Sequence, residues 1–170
     1  MFHWTKEVNA AGIISAANTA VNMIIKTFGQ DEGWERRGGG YFCLADGVTG
    51  FPLLIFPIGI MPEEKVVKYL AFCQEKAKRL AKHSDHMSSW ESRNPDENQW
   101  GGAIKIEDLI YSFSGLPELG DEAAMLGCAT AIRVQSGEPR GTKAPLKDLC
   151  AMIATRSNNP YWGSRLSPAL

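Results

Sequence analysis

No run of about 18 uninterrupted apolar residues occurs in this chain, so nothing in it reads as a membrane-spanning helix. The longest apolar stretch, residues 51–61, is too short and is broken by Pro52 and Pro57. Clustered basic charge is also missing. The 18 Lys and Arg are interspersed with 19 Asp and Glu for a net charge of −1, which leaves no electrostatic footprint for nucleic acid. The four cysteines, Cys43, Cys73, Cys128 and Cys150, form no Cys-x-x-Cys pair, which excludes a zinc ribbon and a thioredoxin-like redox site. Each sits among apolar neighbours, as a free cysteine acting as a small hydrophobe does. Residues 1–7 lack the basic start and continuous apolar region of a secretory leader. A reduced, cytoplasmic protein is the expectation. No internal repeat of useful length is present.

What is present is enough apolar material for a core, 44% of 170 residues, in a length that suits one domain with an extension. Residues 6–28 read as a helix, because Ile14, Ala17, Val21, Ile24 and Phe28 recur at steps of three and four. Gly29 stops it, and residues 31–40, with Gly38, Gly39 and Gly40, read as a flexible loop. Residues 41–45 and 51–58 read as a hairpin turned at Asp46-Gly47. The two prolines place its second strand at a sheet edge or shorten its pairing. Pro62, Glu63 and Glu64 suit the first turn of a long helix. Its inner face is predicted to hold Val66, Leu70, Cys73, Ala77 and Leu80, with Lys65, Lys68, Lys76 and Arg79 in water. Residues 88–99 are polar and hold Asn94-Pro95, so they read as a loop. A second antiparallel pair, residues 102–106 and 109–114, turns at Glu107-Asp108. An alanine-bearing helix then runs from about 120 to 134.

The order helix, two strands, helix, two strands, helix implies an α+β fold: an antiparallel sheet flanked by helices. Residues 1–135 form this domain. Residues 136–170 form a C-terminal extension, a linker followed by a short helix over 145–155 and a tail. Tyr161 and Trp162 in that tail are expected to dock on the domain or on a neighbouring subunit, since large aromatics gain a few kcal/mol by burial.

The chemistry-bearing candidates are few. His83-Ser84-Asp85-His86 places two imidazoles three apart, on one face if helical, and imidazole ligates haem iron and divalent metals. A solvated helix end explains the same residues without a ligand. His3, between Phe2 and Trp4, is a second candidate ligand, although terminal segments commonly fray. Asp46 is a carboxylate available for proton transfer, but Asp-Gly is more simply a turn. Ser88, Ser89 and Ser112 to Ser114 have no visible base partner, so no hydrolase triad can be assembled. Trp34, Trp90 and Trp100 lie in or beside loops, where they line either a pocket, a subunit contact or a core edge. The corner Ser114-Gly115-Leu116-Pro117 joins strand to helix. Its following acids, Glu118, Asp121 and Glu122, argue against phosphate and for a fold element.

Together with Ala16, Ala17 and Ala20, the strand end Leu44-Ala45-Asp46-Gly47, and Lys76-Ala77, one further pattern stands out. Gly101-Gly102-Ala103-Ile104 leads to Ser114-Gly115-Leu116-Pro117 and then Asp121-Glu122-Ala123. In this order the chain, over about residues 6–134, resembles the haem-degrading, GlcG-like family. That family includes haem-binding proteins of the HbpS type, the C-terminal domain of PduO-type proteins, and relatives with the same Ser-Gly-Leu-Pro corner. The proline-rich second strand and the long tail depart from the GlcG pattern. The resemblance implies a profilin-like sandwich that assembles into a homo-oligomer and binds haem or another planar apolar ligand, with His83, His86 or His3 as candidate haem ligands. No metal beyond haem iron is implied. Two other readings stand beside it: a structural or adaptor protein without a small ligand, and an enzyme on a small substrate with Asp46, His83 or His86 carrying protons. With no complete catalytic constellation, a non-enzymatic role is favoured over the last.

Overall fold

The computed structural model describes residues 9–135 and 151. His3, Cys150, Tyr161, Trp162, residues 6–8 of the expected first helix and the tail's docking all lie outside the described residues, as does the helix expected over 145–155 apart from residue 151. Seven main elements follow in order: α1 (Ala10–Phe28), β1 (Gly39–Asp46), β2 (Pro52–Gly59), α2 (Val66–Ala81), β3 (Ala103–Ile106), β4 (Leu109–Ser114) and α3 (Glu118–Gln135). The strands form one antiparallel sheet in the order β2-β1-β4-β3. The fold is α+β, with helices on both faces. Among the described residues no helix is long and apolar enough to cross a membrane.

Alternation along the strands sets the three layers. Phe42 and Leu44 of β1, with Ile104, Ile106, Leu109, Tyr111 and Phe113, point to one face and are covered by α1 and α3. Cys43 and Ala45, with Ala103 and Ile110, point to the other and meet Cys73, Ala77 and Leu80 of α2. β2 lies at an edge, where its prolines need no second partner strand. α1 starts where the Asn9 side chain accepts the Gly12 N–H at 2.9 Å. Its buried stripe includes Ile13, Ala17, Val21, Ile24 and Phe28, whereas Ile14 is 37% exposed. The expected core position shifts by one residue because Ile13 and Ile14 satisfy the same spacing, and only packing against α3 chooses between them.

Two expectations are overturned by burial. Lys76 and Arg79, read as water-facing, are 2% and 8% exposed. Segment 89–100 wraps the flank of α2, and a 3₁₀ turn at Ser89–Ser92 sets its path. Nη1 of Arg79 donates to the carbonyls of Ser89 (2.6 Å) and Ser92 (2.9 Å), and its Nε donates to Glu75 (2.6 Å). A guanidinium's rigid fork suits carbonyls that would otherwise be buried without donors. Spacing along the helix reveals Glu75, four positions back, but not the carbonyls of Ser89 and Ser92.

The second correction concerns Gly38 to Gly40, read as a flexible loop. Gly39 and Gly40 are the first residues of β1. A Cβ on Gly39 would collide with the Ile58 carbonyl, one on Gly40 with the Ser114 carbonyl, and one on Gly115 with the Gly39 carbonyl. Three backbones meet here closer than side chains permit, so glycine is required by contact rather than by flexibility.

Candidate functional site

That glycine crossing anchors a cleft. Leaving β4, the chain turns at Gly115, runs through Leu116-Pro117 and enters α3. The segment before β1 lies beside it, held by Arg37, whose Nη1 donates to the Tyr69 hydroxyl (3.1 Å) and the Gly115 carbonyl (3.5 Å). The 3₁₀ turn Glu63–Lys65 and the first turns of α2 form the opposite wall. Between them is a cleft of about 580 Å³, within the size range of small-molecule sites. Tyr69, Phe72, Trp100, Leu116 and Pro117 supply its apolar surface, and Arg36, Arg37, Lys65 and Lys68 its charge.

At its inner end lie Lys76 and Asp121, an ion pair of 2.8 Å with side chains 3% and 2% exposed. Lys76 Nζ also donates to the Phe113 carbonyl at 2.9 Å. Asp121 Oδ1 accepts the Leu116 N–H at 2.9 Å, so the carboxylate ties the corner to α3 and α2 to both. Gly102, at φ +118°, completes the enclosure: a Cβ there would lie 2.6 Å from Lys76 Nζ and 2.7 Å from the Asp121 Cβ. Burial pushes the Asp121 carboxyl up to about 6, with Lys76 pulling it back down.

Each acid of the corner has a partner within the fold. Glu118 accepts from Arg93 Nε (2.8 Å) and from the Gly101 N–H (2.7 Å), and Asp121 is held by Lys76. Glu122 is fully buried and accepts from Ser88 Oγ. The ion pairs found among the described residues include none of Arg36, Arg37, Lys65 or Lys68. Glu35 and Glu64 are the remaining carboxylates on the cleft wall, so four cations face two anions there. A chain of net charge −1 has thus gathered a local positive excess around an apolar floor.

The histidines lie elsewhere. α2 ends at Ala81, so His83 and His86 sit in the turn beyond it rather than on a shared helical face. Their rings nevertheless stack, with centroids 4.3 Å apart and an interplanar angle of 11°, and His86 Nδ1 has no hydrogen-bond partner among the described residues. His83 borders a separate groove of about 660 Å³ lined mainly by Gln74, Glu75, Lys78, Arg79 and Lys82. Among the described residues, no group of three or more His, Cys, Asp or Glu side chains is placed to hold a metal ion.

Asp46 is a turn residue: its Oδ1 accepts from the N–H groups of Val48 (3.1 Å) and Thr49 (2.7 Å) and from the Thr49 hydroxyl (2.7 Å). The Thr49 hydroxyl, then the backbone donors, lower its carboxyl below the usual range. Ser88 and Ser89 are buried: Ser88 Oγ binds Glu122, and Ser89 Oγ accepts the Ala103 N–H at 3.0 Å. Ser112 Oγ donates to the Cys73 carbonyl at 2.7 Å. The tryptophans divide. Trp34 is core, stacked on Phe28 at 5.6 Å. Trp90 and Trp100 receive the Arg93 guanidinium at 5.0 and 5.5 Å, and Trp100 lines the cleft.

The cleft's main side chains, Arg37, Tyr69, Lys76 and Asp121, were not singled out as a set by sequence reasoning. The available signal was Gly102, Gly115 and Asp121 near Lys76 in the same ordered motif, but charge on an amphipathic helix normally means water. Neither a family model, nor a curated protein, nor a solved structure matches this chain.

Proposed function

We propose that this is a small-molecule binding protein whose site is the cleft at the Ser-Gly-Leu-Pro corner, and that its ligand is an organic anion with a flat apolar body. The observation that carries this reading is the positive excess of Arg36, Arg37, Lys65 and Lys68 around Tyr69, Phe72 and Trp100. Apolar walls supply affinity by burial, while a few placed charges fix orientation. Arg37 is positioned by two neutral acceptors, and its charge, which also acts on Glu35 and Asp121, can still meet a carboxylate or phosphate in the cleft. Titration with phenyl phosphate, followed by tryptophan fluorescence, tests the reading. Saturable binding that weakens roughly ten- to hundredfold in Arg37→Gln/Lys68→Gln is the expected result, the worth of one or two charge-assisted hydrogen bonds. No saturable change, or equal affinity in the variant, rejects it.

A second reading, haem binding in a homo-oligomer, follows from the family resemblance and is favoured by the stacked His83 and His86, with the His86 Nδ1 unpartnered among the described residues. Hemin titration separates the two sites. A Soret shift lost in His83→Ala/His86→Ala supports haem at the histidines, whereas one lost only in the cleft variant places the planar ligand in the cleft. Self-association has its own support in β2, an edge strand that carries exposed Leu53 and is flanked by exposed Val48, Phe51 and Ile60. Light scattering on Phe51→Glu/Leu53→Lys tests it: an unchanged mass rules out assembly through this edge.

A further inference from the structure

A buried lysine at the inner end of an anion-binding cleft does more than brace the corner. The Lys76 ammonium has three donors, and two are used, by the Phe113 carbonyl and by Asp121 Oδ2. Its third has no acceptor among the described residues, and both members of the pair border the cleft. Gly102 carries no side chain at the point where a Cβ would crowd Nζ. The cations of the rim lie outside this pair. An amine nucleophile, a proton acceptor at 2.8 Å and cations for a carboxylate are therefore gathered around one cavity.

We propose that Lys76 is a carbonyl-reactive amine, forming an iminium with a 2-oxo acid or a related carbonyl-bearing anion held by the cleft, with Asp121 as proton carrier. This rests on the cleft reading above. The Lys76 ammonium gives one proton to Asp121 Oδ2, and the freed nitrogen pair bonds to the carbonyl carbon as the C=O π pair moves onto oxygen. Transfer of a second nitrogen proton to that oxygen gives the neutral carbinolamine. Asp121 then returns its proton to the hydroxyl, water leaves with the C–O pair, and the nitrogen pair closes the C=N⁺ bond. Ammonium plus carbonyl become iminium plus water, with no net oxidation, and Asp121 ends ionised beside the new cation. A lysine enclosed away from water is the usual setting for this chemistry. The raised Asp121 carboxyl fits a group that must hold and release a proton near neutrality.

The test uses the full chain with pyruvate as probe and cyanoborohydride to reduce any iminium to a stable amine, followed by intact mass and peptide mapping. The expected result is a single saturable adduct on Lys76, slowed at least tenfold in Asp121→Asn and competed by phenyl phosphate. Lys76→Arg, which keeps the charge, should remove the adduct. Mapping on the unaltered chain stands even if that variant does not fold. Absence of an adduct, or labelling spread over Lys65, Lys68 and Lys78, overturns the proposal. Phenyl phosphate cannot form an iminium. If it binds while pyruvate is not trapped, the reactive lysine is lost and the cleft reading survives.

Discussion

Replacing Lys76 with methionine removes one charge from a pair whose side chains are 3% and 2% exposed, while keeping much of the chain's volume. The variant leaves the Asp121 carboxylate buried with the Leu116 N–H as its remaining hydrogen-bond donor, and leaves the Phe113 carbonyl without its ammonium. Breaking a buried pair from one side typically costs about 3–5 kcal/mol. That is a large share of a domain's usual total of about 5–15 kcal/mol. The loss must depend on pH in a definite direction. In the intact protein Asp121 is already raised to about 6, and loss of the cation that pulls it down raises it further. A carboxyl whose folded value lies above its unfolded one is protonated more readily in the fold. Its relative stabilisation is complete below the unfolded value of 3.8 and disappears as pH climbs through the folded value. The variant's folded value is the higher of the two, so its deficit is greatest at high pH and shrinks as pH falls below the intact protein's value of about 6. Urea unfolding at pH 8 and pH 5 measures both. We expect about 3–5 kcal/mol of destabilisation at pH 8, and a smaller deficit at pH 5. A loss that is the same at both values, or below about 1 kcal/mol at pH 8, would refute the claim that this pair closes the corner.

Gly102→Ala should destabilise by roughly 1–3 kcal/mol from its backbone conformation at φ +118° alone, and more from the crowding of Lys76, read by thermal or urea unfolding. A loss below about 0.5 kcal/mol would mean the enclosure is looser than its geometry. Thr49→Val removes the first cause of the depressed Asp46 carboxyl, so its titration by carbon-13 NMR should move upward. Because a depressed folded value stabilises above the unfolded one and fades as pH falls, unaltered Asp46 favours the fold at neutral pH and loses that effect in acid. An unmoved titration in the variant would show that the turn's N–H groups alone hold the carboxylate.

Element type and order were legible because the signals were local: alternating strands, two-residue turns at Glu107-Asp108, and helices with apolar stripes. Pro52 and Pro57 left β2 either at an edge or with shortened pairing, and the sheet places it at the edge. What was not legible depended on contacts between distant segments. Ile13 and Ile14 fit one helical stripe equally well until α3 packs on it. Gly39 and Gly40 read as slack because nothing nearby in sequence announces the Ile58 and Ser114 backbones that press on them. Lys76 and Arg79 have the spacing of solvated residues, and their partners, Asp121 and the carbonyls of Ser89 and Ser92, lie 45, 10 and 13 positions away. The site failed to show for the same reason. Histidines attract attention as ligands by type, whereas a cleft made of Arg37, Tyr69, Lys76 and Asp121 exists only after the sheet has joined β1 to β4.

The most direct measurement is a nitrogen-15 NMR titration of the full chain with phenyl phosphate, following every backbone amide together with the Arg37 side-chain N–H. Shifts that saturate together at Gly115, Leu116, Glu118 and Arg37, with the signals of His83 and His86 unmoved, are the predicted result. Shifts confined to the histidine groove, or none at millimolar ligand, would contradict it.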